Sequence, residues 1–423
     1  MCPAGKPLVS PFIIPLKGVF VQFLRSSYDA RTLNKHLIID HIRFSQGGYS
    51  RASLAREVGL SRAAVSTIVN ELLARGIVRE AERVSTGGGR PPIRLEINPG
   101  GGLVAGVDIG VTHVALVLAD FSGAVLAERR EPLNVMDGPE ICLRQVNAHL
   151  QVLLATQGVS LEDIAAFGVG VPGPVSQETG KVIAPPIMPG WEGFPVRDTL
   201  QTLWGRPVLV GNDADLGALG EWVYGAGRGA THLAYVKVGS GVGAGFIFNG
   251  EIYRGAEGYA GEIGHITLMK DGPVCTCGNR GCLEALAGGT AIARQAQDAV
   301  RRGLPTRLDA IQPVESITAR HVAQAAQMGD LVSQQIIVQA GHYLGIAIAN
   351  VINLLNPGVL VIGGGVSQMG DLLLEPIRHT ARERSLPGAA HGVRIVSAVL
   401  GVRSSGMGAV AYAITHAIHA LAE

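Results

Sequence analysis

Three cysteines and a histidine lie close enough in the sequence to form a metal site. His265 precedes Cys275 by ten residues, and Cys277 and Cys282 follow within the next seven. Three thiolates and one imidazole are ligands that suit tetrahedral Zn²⁺, with Zn–S distances of about 2.3 Å. Four protein ligands leave no open position for an activated water, so the predicted zinc is structural rather than hydrolytic.

Two other chemistries use closely spaced cysteines. A disulfide is disfavoured because we expect a cytoplasmic chain, and disulfides are rare in that compartment. A redox pair is disfavoured because Cys275 and Cys277 are spaced Cys-x-Cys rather than Cys-x-x-Cys. Cys2 and Cys142 stand alone, so the chain lacks the framework of a secreted disulfide-rich protein.

Acceptor groups on both sides of the cysteine run suggest a second use for this loop. Glu262 and Glu284 flank it, and Asn212 and Asp213 end an apolar strand, where ligands of open α/β sheets gather. Metal on one imidazole nitrogen of His265 leaves the other free to bind a ligand. Together these groups suit the vicinal hydroxyls of a sugar. The alternatives are that the glutamates are solvated surface charges and that Asn212 and Asp213 form a helix cap.

Two glycine-rich turns indicate a duplicated α/β unit. The first joins apolar segments at Asp108-x-Gly110-x-Thr112, and the second does so at Gly239–Gly245, about 130 residues later. Glycine accounts for 58 of the 423 residues, roughly twice its usual share. Backbone amides of such turns can cradle a phosphate in a cleft between the two copies. The alternative is that both turns are simply tight hairpins.

Helical patterns dominate the region before this α/β body. A short helix, Arg51–Val58, is predicted to end at Gly59. A second helix, Arg62–Arg75, is predicted to begin after a Ser61 cap and to end at Gly76.

The outward face of the second helix suits a DNA major groove, because its side chains are small or able to hydrogen-bond. Arg90 follows three glycines between two predicted strands, Ile77–Val84 and Ile93–Ile97, where it could reach a minor groove. Together these features predict a winged helix-turn-helix; the alternative is a three-helix packing unit without a DNA role. The predicted major-groove residues are Arg62, Ser66, Thr67 and Asn70.

Composition and charge agree with a DNA-binding module joined to a larger globular body. Hydrophobic residues make up 47% of the chain and charged residues 16%, which excludes a long disordered protein. Residues 29–96 hold eleven lysines and arginines against seven acidic residues, while the whole chain has a net charge of only +1. A basic module is a weak indication of a nucleic-acid partner. The apolar segment 8–24 is interrupted by two prolines and a lysine, so no membrane span or signal peptide is expected.

The body resembles the ROK family of repressors and sugar kinases. Glu262-x-Gly264-His265 and the cysteine run ending at Glu284 look like its two signature motifs. Asp108-x-Gly110-x-Thr112 and Gly239–Gly245 resemble its phosphate motifs, and Asn356–Gly365 resembles its adenosine motif. The resemblance implies an α/β, actin-like or hexokinase-like (ribonuclease H-like) body with two lobes, usually in a dimer or larger oligomer.

By the same resemblance, the sugar would contact Asn212, Asp213, Glu262, His265 and Glu284. The matching position in the kinases makes Asp213 the general base, a catalytic role here only if kinase activity is retained. A nucleotide would then use Asp108, Gly110, Thr112, Gly239, Gly241 and Gly364, with ATP and Mg²⁺ as cofactors. The chain departs from the kinase motif at Val111 and His113, and a β-branched Val111 restricts the backbone where a phosphate should approach.

These observations predict a sugar-responsive DNA-binding transcriptional regulator, a repressor, that binds operator DNA as a homodimer or homotetramer. We expect an N-terminal extension at 1–28, which is either poorly ordered or an extension that follows from the choice of translation start site. A winged helix-turn-helix at 29–97 and the two-lobed sugar-binding body at 103–423 come after it. One alternative is an ATP-dependent sugar kinase that carries a DNA-binding module. The other is a DNA-binding protein whose body serves only to dimerise.

Overall fold

The computed structural model describes residues 29–45, 48–81, 93–183 and 188–423. The predicted extension at 1–28 lies outside the described residues, as does Arg90 with the glycines that precede it.

Three helices and a two-stranded antiparallel sheet form the first unit. The Ser61 hydroxyl accepts a hydrogen bond from the Ala64 N–H at 3.1 Å, which confirms the predicted helix start. Gly76 has a φ of +70°, a conformation that glycine adopts without strain, and the helix ends just before it. Both strands begin later than predicted, at Val78 and Leu95, and residues 82–84 of the first predicted strand lie outside the described residues. The elements are α1 (Ala30–Phe44), α2 (Arg51–Glu57), α3 (Arg62–Ala74), β1 (Val78–Glu80) and β2 (Leu95–Ile97).

The first lobe is built on a five-stranded mixed sheet with the order β5-β4-β3-β6-β7. The glycine turn at Gly110 joins β3 to β4, which pair antiparallel, whereas β6 and β7 continue the sheet in parallel. The elements of this part of the chain are β3 (Leu103–Ile109), β4 (His113–Asp120), β5 (Val125–Pro132), α4 (Pro139–Thr156), β6 (Ile164–Val171), α5 (Val196–Trp204), β7 (Val208–Asn212) and α6 (Asp213–Tyr224).

The second lobe repeats this arrangement. Its sheet has the order β10-β9-β8-β11-β12, again with an antiparallel hairpin at one side and two parallel strands at the other. The predicted duplication is therefore confirmed. The remaining elements are β8 (His232–Val238), β9 (Val242–Phe248), β10 (Glu251–Tyr253), α7 (Leu283–Ala287), α8 (Gly289–Arg301), α9 (Ala319–Gln327), α10 (Leu331–Leu355), β11 (Val359–Gly363), α11 (Asp371–Arg384), α12 (Pro387–Ala390), β12 (Arg394–Ser397) and α13 (Ser404–Ala422).

Helix α10 is long and apolar enough to cross a membrane by length and composition alone. It packs against α9 and α11, and Ala340, Leu344 and Ile348 along it are buried in the second lobe's core. Its apolar character is accounted for by this internal packing.

Helix α13 returns from the second lobe and packs against α6 and against β3 and β6 of the first. Glycine allows this close approach. A methyl group on Gly168 would lie 2.0 Å from the carbonyl oxygen of Ala409, and one on Gly220 would lie 2.1 Å from that of Ser404. Any side chain at either position would push α13 away from the elements it joins.

The far end of α13 carries the N-terminal unit. His419 Nε2 lies 2.9 Å from Asp40 Oδ1, and the His419 ring stacks on that of His36 with 4.1 Å between centroids. Lys35 and Arg75 donate to the carbonyl oxygens of the last turn, at Ala422 and Leu421. Apart from the exposed Arg75 bond, these contacts are buried, so the N-terminal unit is docked on the body by α1 and α3.

Acidification should weaken this docking through His36. Burial and the neighbouring His419 lower the pKa of His36 from 6.5 to about 4. Below pH 6.5 the unfolded chain therefore binds more protons than the folded one, and stability is lost as the pH falls from 6.5 towards 4. For one such group the loss between pH 7 and pH 5 is about 2 kcal/mol. In urea unfolding, the free energy of unfolding of the His36→Phe variant should fall between pH 7 and pH 5 by about 2 kcal/mol less than that of wild type.

The control for this measurement is His391→Phe, which changes an exposed histidine. It should keep the wild-type pH dependence. An equal pH dependence in wild type and His36→Phe would contradict the assignment.

Candidate functional site

The predicted metal ligands meet at one point. The four ligand atoms of His265, Cys275, Cys277 and Cys282 all lie within 4.8 Å of one another. Cys275 Sγ is 3.7 Å from His265 Nδ1, and the Cys277 and Cys282 sulfurs are 3.7 Å apart. Sulfurs bound at about 2.3 Å to one tetrahedral ion would be about 3.8 Å apart, whereas a disulfide requires about 2.05 Å. The four residues can therefore hold one metal ion.

The three thiols are close enough to perturb one another. Burial, with the neighbouring Cys277, raises the pKa of the Cys282 thiol to about 12. Without a cation this thiol would stay protonated at neutral pH, whereas a bound metal ion would hold it as the thiolate. Gly281 makes the tight fold possible, because a methyl group there would overlap the carbonyl oxygen of Met269.

Three of the predicted sugar residues lie around this loop. His265 turns its Nε2 away from the sulfurs, and that atom is 3.8 Å from Glu262 Oε2. Glu284, in the first turn of α7, accepts a hydrogen bond from the Val242 N–H at 3.1 Å and one from the Thr276 hydroxyl at 3.3 Å. Glu284 is thereby fixed at the start of β9.

Asp213 completes the group of carboxylates. Burial raises the pKa of Glu262, and the negative charges of Asp213 and Glu284 raise it further, while His265 lowers it. Burial likewise raises the pKa of Asp213. Four of the five predicted sugar residues are thus close enough to act on one another, in a site rich in hydrogen-bond acceptors.

Asn212 has a structural task in addition to any binding role. Its side-chain oxygen accepts hydrogen bonds from the N–H groups of Ala214 and Asp215, and its amide nitrogen donates to the carbonyl oxygen of Gly173. The helix-cap alternative is therefore confirmed for Asn212 at the start of α6. The cap places Asp213 at the carboxyl end of β7.

A lysine that the sequence reasoning missed reaches this site. Lys237 Nζ lies 2.8 Å from Asp213 Oδ2, 3.0 Å from Ser405 Oγ and 3.7 Å from Asp108 Oδ1. The available signal was a single charged residue in the otherwise apolar strand β8, a position where an unpaired lysine would be costly.

The predicted nucleotide residues form two groups. Gly239, Gly241 and Gly364 lie together beyond the carboxyl ends of β8 and β11, where a methyl group on Gly241 would meet the Glu284 carboxylate and one on Gly364 would meet the Val238 carbonyl. Asp108, Gly110 and Thr112 lie in or beside the turn between β3 and β4. The His113 ring covers this turn, because a methyl group on Gly110 would be 2.5 Å from its Cε1.

A cavity of about 580 Å³ lies beside the site rather than within it. Its lining includes Gln177, Glu251, Arg254 and Glu257, and none of the five predicted sugar residues. Arg254 also lies 3.6 Å from Asp215, so the cavity adjoins the first turn of α6.

The predicted DNA-contacting residues lie on one face of α3. Arg62, Thr67 and Asn70 are exposed, and Ser66 is half-buried. Asn70 Oδ1 accepts a hydrogen bond from Arg51 at 2.8 Å, and the same guanidinium lies 3.2 Å from Glu80. Arg51, which sequence reasoning did not single out, therefore shares this face.

Two family models match the chain. The ROK family model covers residues 104–416, and a winged helix-turn-helix DNA-binding model covers residues 45–79. The chain is 32% identical over 385 residues to a xylose repressor from Caldicellulosiruptor bescii, covering 91% of this chain and 96% of that protein.

Solved structures agree with both matches. A ROK family transcriptional regulator, a homologue of the Escherichia coli MLC protein, superposes with a TM-score of 0.76 at 28% identity, covering 92% of this chain and 96% of that one. A ROK family glucokinase from Streptomyces griseus, in complex with glucose and AMPPNP, superposes with a TM-score of 0.67 at 32% identity. That match covers 99% of the glucokinase but 74% of this chain.

Proposed function

The chain belongs to the ROK family, and from this premise we propose that it is a sugar-responsive, DNA-binding transcriptional repressor of carbohydrate-metabolism genes. The observation that carries the proposal is the presence of both parts in one chain, since the family body and the winged helix-turn-helix match side by side. The xylose repressor matches over 91% of the chain, while the glucokinase structure matches over 74%. The kinase alternative is less supported.

We propose a winged helix-turn-helix at 29–97, a two-lobed sugar-binding body at 103–423, and action in the cytoplasm as a homodimer or homotetramer on a near-palindromic operator. A dimer presents two copies of α3 to DNA, so half-sites would be spaced by about one helical turn or a multiple of it. Sugar would shift the spacing of these modules by closing the two lobes, provided that it binds one state more tightly than the other.

Helix α13 offers a route for that shift. The Ser405 hydroxyl donates to the Asp213 carbonyl oxygen at 2.8 Å, and Lys237 donates to the same hydroxyl. At its other end, α13 holds the N-terminal unit through Asp40 and Lys35. A rigid helix of 19 residues spans about 28 Å, so movement at the sugar site would be carried to the DNA-binding unit.

The metal is proposed to be a structural Zn²⁺ held by His265, Cys275, Cys277 and Cys282. Its role would be to hold the His265 imidazole beside Glu262, with the remaining nitrogen free for a sugar hydroxyl. The same loop would carry Glu284 into the first turn of α7. The zinc thus holds the sugar-binding side chains in place and takes no part in a reaction.

We expect purified protein to contain about one zinc ion per chain, because a closed set of three thiolates and one imidazole binds it tightly. Metal analysis of protein purified without chelator measures this directly. Cys282→Ser should lose most of the zinc and bind sugar more weakly. Cys142→Ser, which alters a buried cysteine outside the cluster, should keep its zinc and its affinity for sugar. A wild-type preparation without zinc would refute the assignment.

The proposed sugar ligands are Asn212, Asp213, Glu262, His265 and Glu284. In a thermal-shift screen of a pentose, a hexose and an N-acetylhexosamine, we expect one sugar to raise the melting temperature, with about 2.7 kcal/mol gained at 100 times its Kd. Glu262→Gln should weaken that sugar roughly tenfold or more, because a charged acceptor is lost. The control is Glu257→Gln in the neighbouring cavity, which should bind normally. If Glu257→Gln weakened sugar binding and Glu262→Gln did not, the sugar would bind in that cavity instead.

DNA contact is proposed for Arg62, Ser66, Thr67 and Asn70 in the major groove and for Arg90 in the minor groove. With a duplex selected by the wild-type protein from a random library, Arg62→Ala should lose about 1–3 kcal/mol of binding free energy in fluorescence anisotropy. Arg90→Ala should also weaken binding while sugar affinity stays intact. Arg301→Ala, on the surface of the second lobe, is the charge-matched control. Unchanged operator affinity in both Arg62→Ala and Arg90→Ala would exclude these contacts.

A further inference from the structure

Lys237 brings a positive charge into the space between the two lobes. It is the only lysine, arginine, aspartate or glutamate of β8, and it lies one residue before the end of the strand. Its side chain is 18% exposed, and those of Asp108 and Asp213 are 3% and 16% exposed. The three groups therefore meet where solvent screens them poorly.

The ammonium group donates two hydrogen bonds and forms one longer ion pair in this position. An ammonium has three N–H donors, and three acceptors surround this one, at Asp213 Oδ2, Ser405 Oγ and, less closely, Asp108 Oδ1. Burial opposes the charge of Lys237, but the two carboxylates outweigh it and raise the pKa above the ordinary lysine value. Lys237 is thus a permanent cation at neutral pH.

The neighbouring turn is closed by a second side chain. The His113 ring lies against Gly110, in the turn whose amides a nucleotide phosphate would need. Burial, together with the positive charges of Arg130 and Lys237, lowers the pKa of His113 to about 4, so the ring is neutral at pH 7. A neutral imidazole in this place offers a phosphate neither charge nor access.

We propose that Lys237 is a built-in cation that takes the place of a divalent metal ion between the lobes. Mg²⁺ in phosphoryl-transfer sites is held by one or two carboxylates together with the substrate phosphates, and Asp108 and Asp213 are the carboxylates available here. The ammonium hydrogen-bonds Asp213 Oδ2 and forms a longer ion pair with Asp108 Oδ1, so Lys237 acts as a positioning residue. The site then recognises uncharged sugars without a nucleotide or Mg²⁺. The inference rests on the proposed function only in calling the ligand a sugar.

The proposal is first tested on the wild-type protein. Isothermal titration with Mn²⁺ or with Mg²⁺ and AMPPNP should give no saturable binding, and Mg²⁺ should leave sugar affinity unchanged. A tenfold gain in sugar affinity on adding Mg²⁺, or stoichiometric binding of the nucleotide analogue, would overturn it.

The second test removes the ammonium but keeps the length of the chain. Lys237→Met leaves two buried carboxylates without a cation, so Mn²⁺ should now raise the melting temperature of the zinc-loaded protein. Lys181→Met makes the same chemical change at an exposed lysine and should show no such response. The proposal fails if both variants respond to Mn²⁺ alike.

A third variant covers the case in which Lys237→Met does not fold. Adding Asp213→Asn removes one of the two carboxylate charges, and the double variant should recover melting temperature lost in the single one. If the double variant lost as much melting temperature as the two single variants together, the proposed pairing of Lys237 with Asp213 would be overturned. The Mn²⁺ and stability measurements need neither sugar nor DNA, so a wild-type protein that ignores every sugar would count against the proposed repressor function alone.

Discussion

The structure depends on the contact between α13 and the backbones of the elements beneath it. Gly168 in β6 and Gly220 in α6 allow carbonyl oxygens of α13 to lie where side chains would otherwise stand. Helix α13 therefore cannot move without moving β3, β6 and α6, and Asp108 lies near the end of β3 while Asp213 begins α6. The high glycine content serves this close packing as much as the turns.

The Glu221 carboxylate secures the same junction from inside. It is fully buried in α6 and accepts hydrogen bonds from the N–H groups of Val399 and Leu400 and from the Ser404 hydroxyl. A buried carboxylate satisfied in this way fixes the start of α13, because any displacement would leave a charge without partners. The proposed sugar site and the winged helix-turn-helix unit are therefore attached to opposite ends of one firmly seated helix.

Local sequence pattern was sufficient for features whose determinants are close in the chain. The helix cap at Ser61, the glycine turns and the convergence of three cysteines each depend on a few neighbouring residues, and the structure contains them. Lys237 could not be placed in this way, because its partners Asp108, Asp213 and Ser405 come from β3, α6 and the last helix, all distant in the chain. The cavity beside Arg254 and the docking of α1 on α13 were missed for the same reason. Asn212 shows that even a local motif leaves two roles open until the hydrogen bonds are seen.

More than half of the basic side chains counted in the N-terminal unit bond to other groups of the protein. Lys35 and Arg75 bind the last carbonyls of α13, Arg43 bonds to the same helix, and Arg79 pairs with Glu96. Arg31 pairs with Glu71 and Arg51 with Glu80, so six of the eleven cations counted in residues 29–96 are already engaged. Because affinity for the DNA backbone grows with the number of cations that neutralise phosphates, the intramolecular bonds of these six side chains make the sequence-independent part of that affinity smaller than the count of eleven suggests.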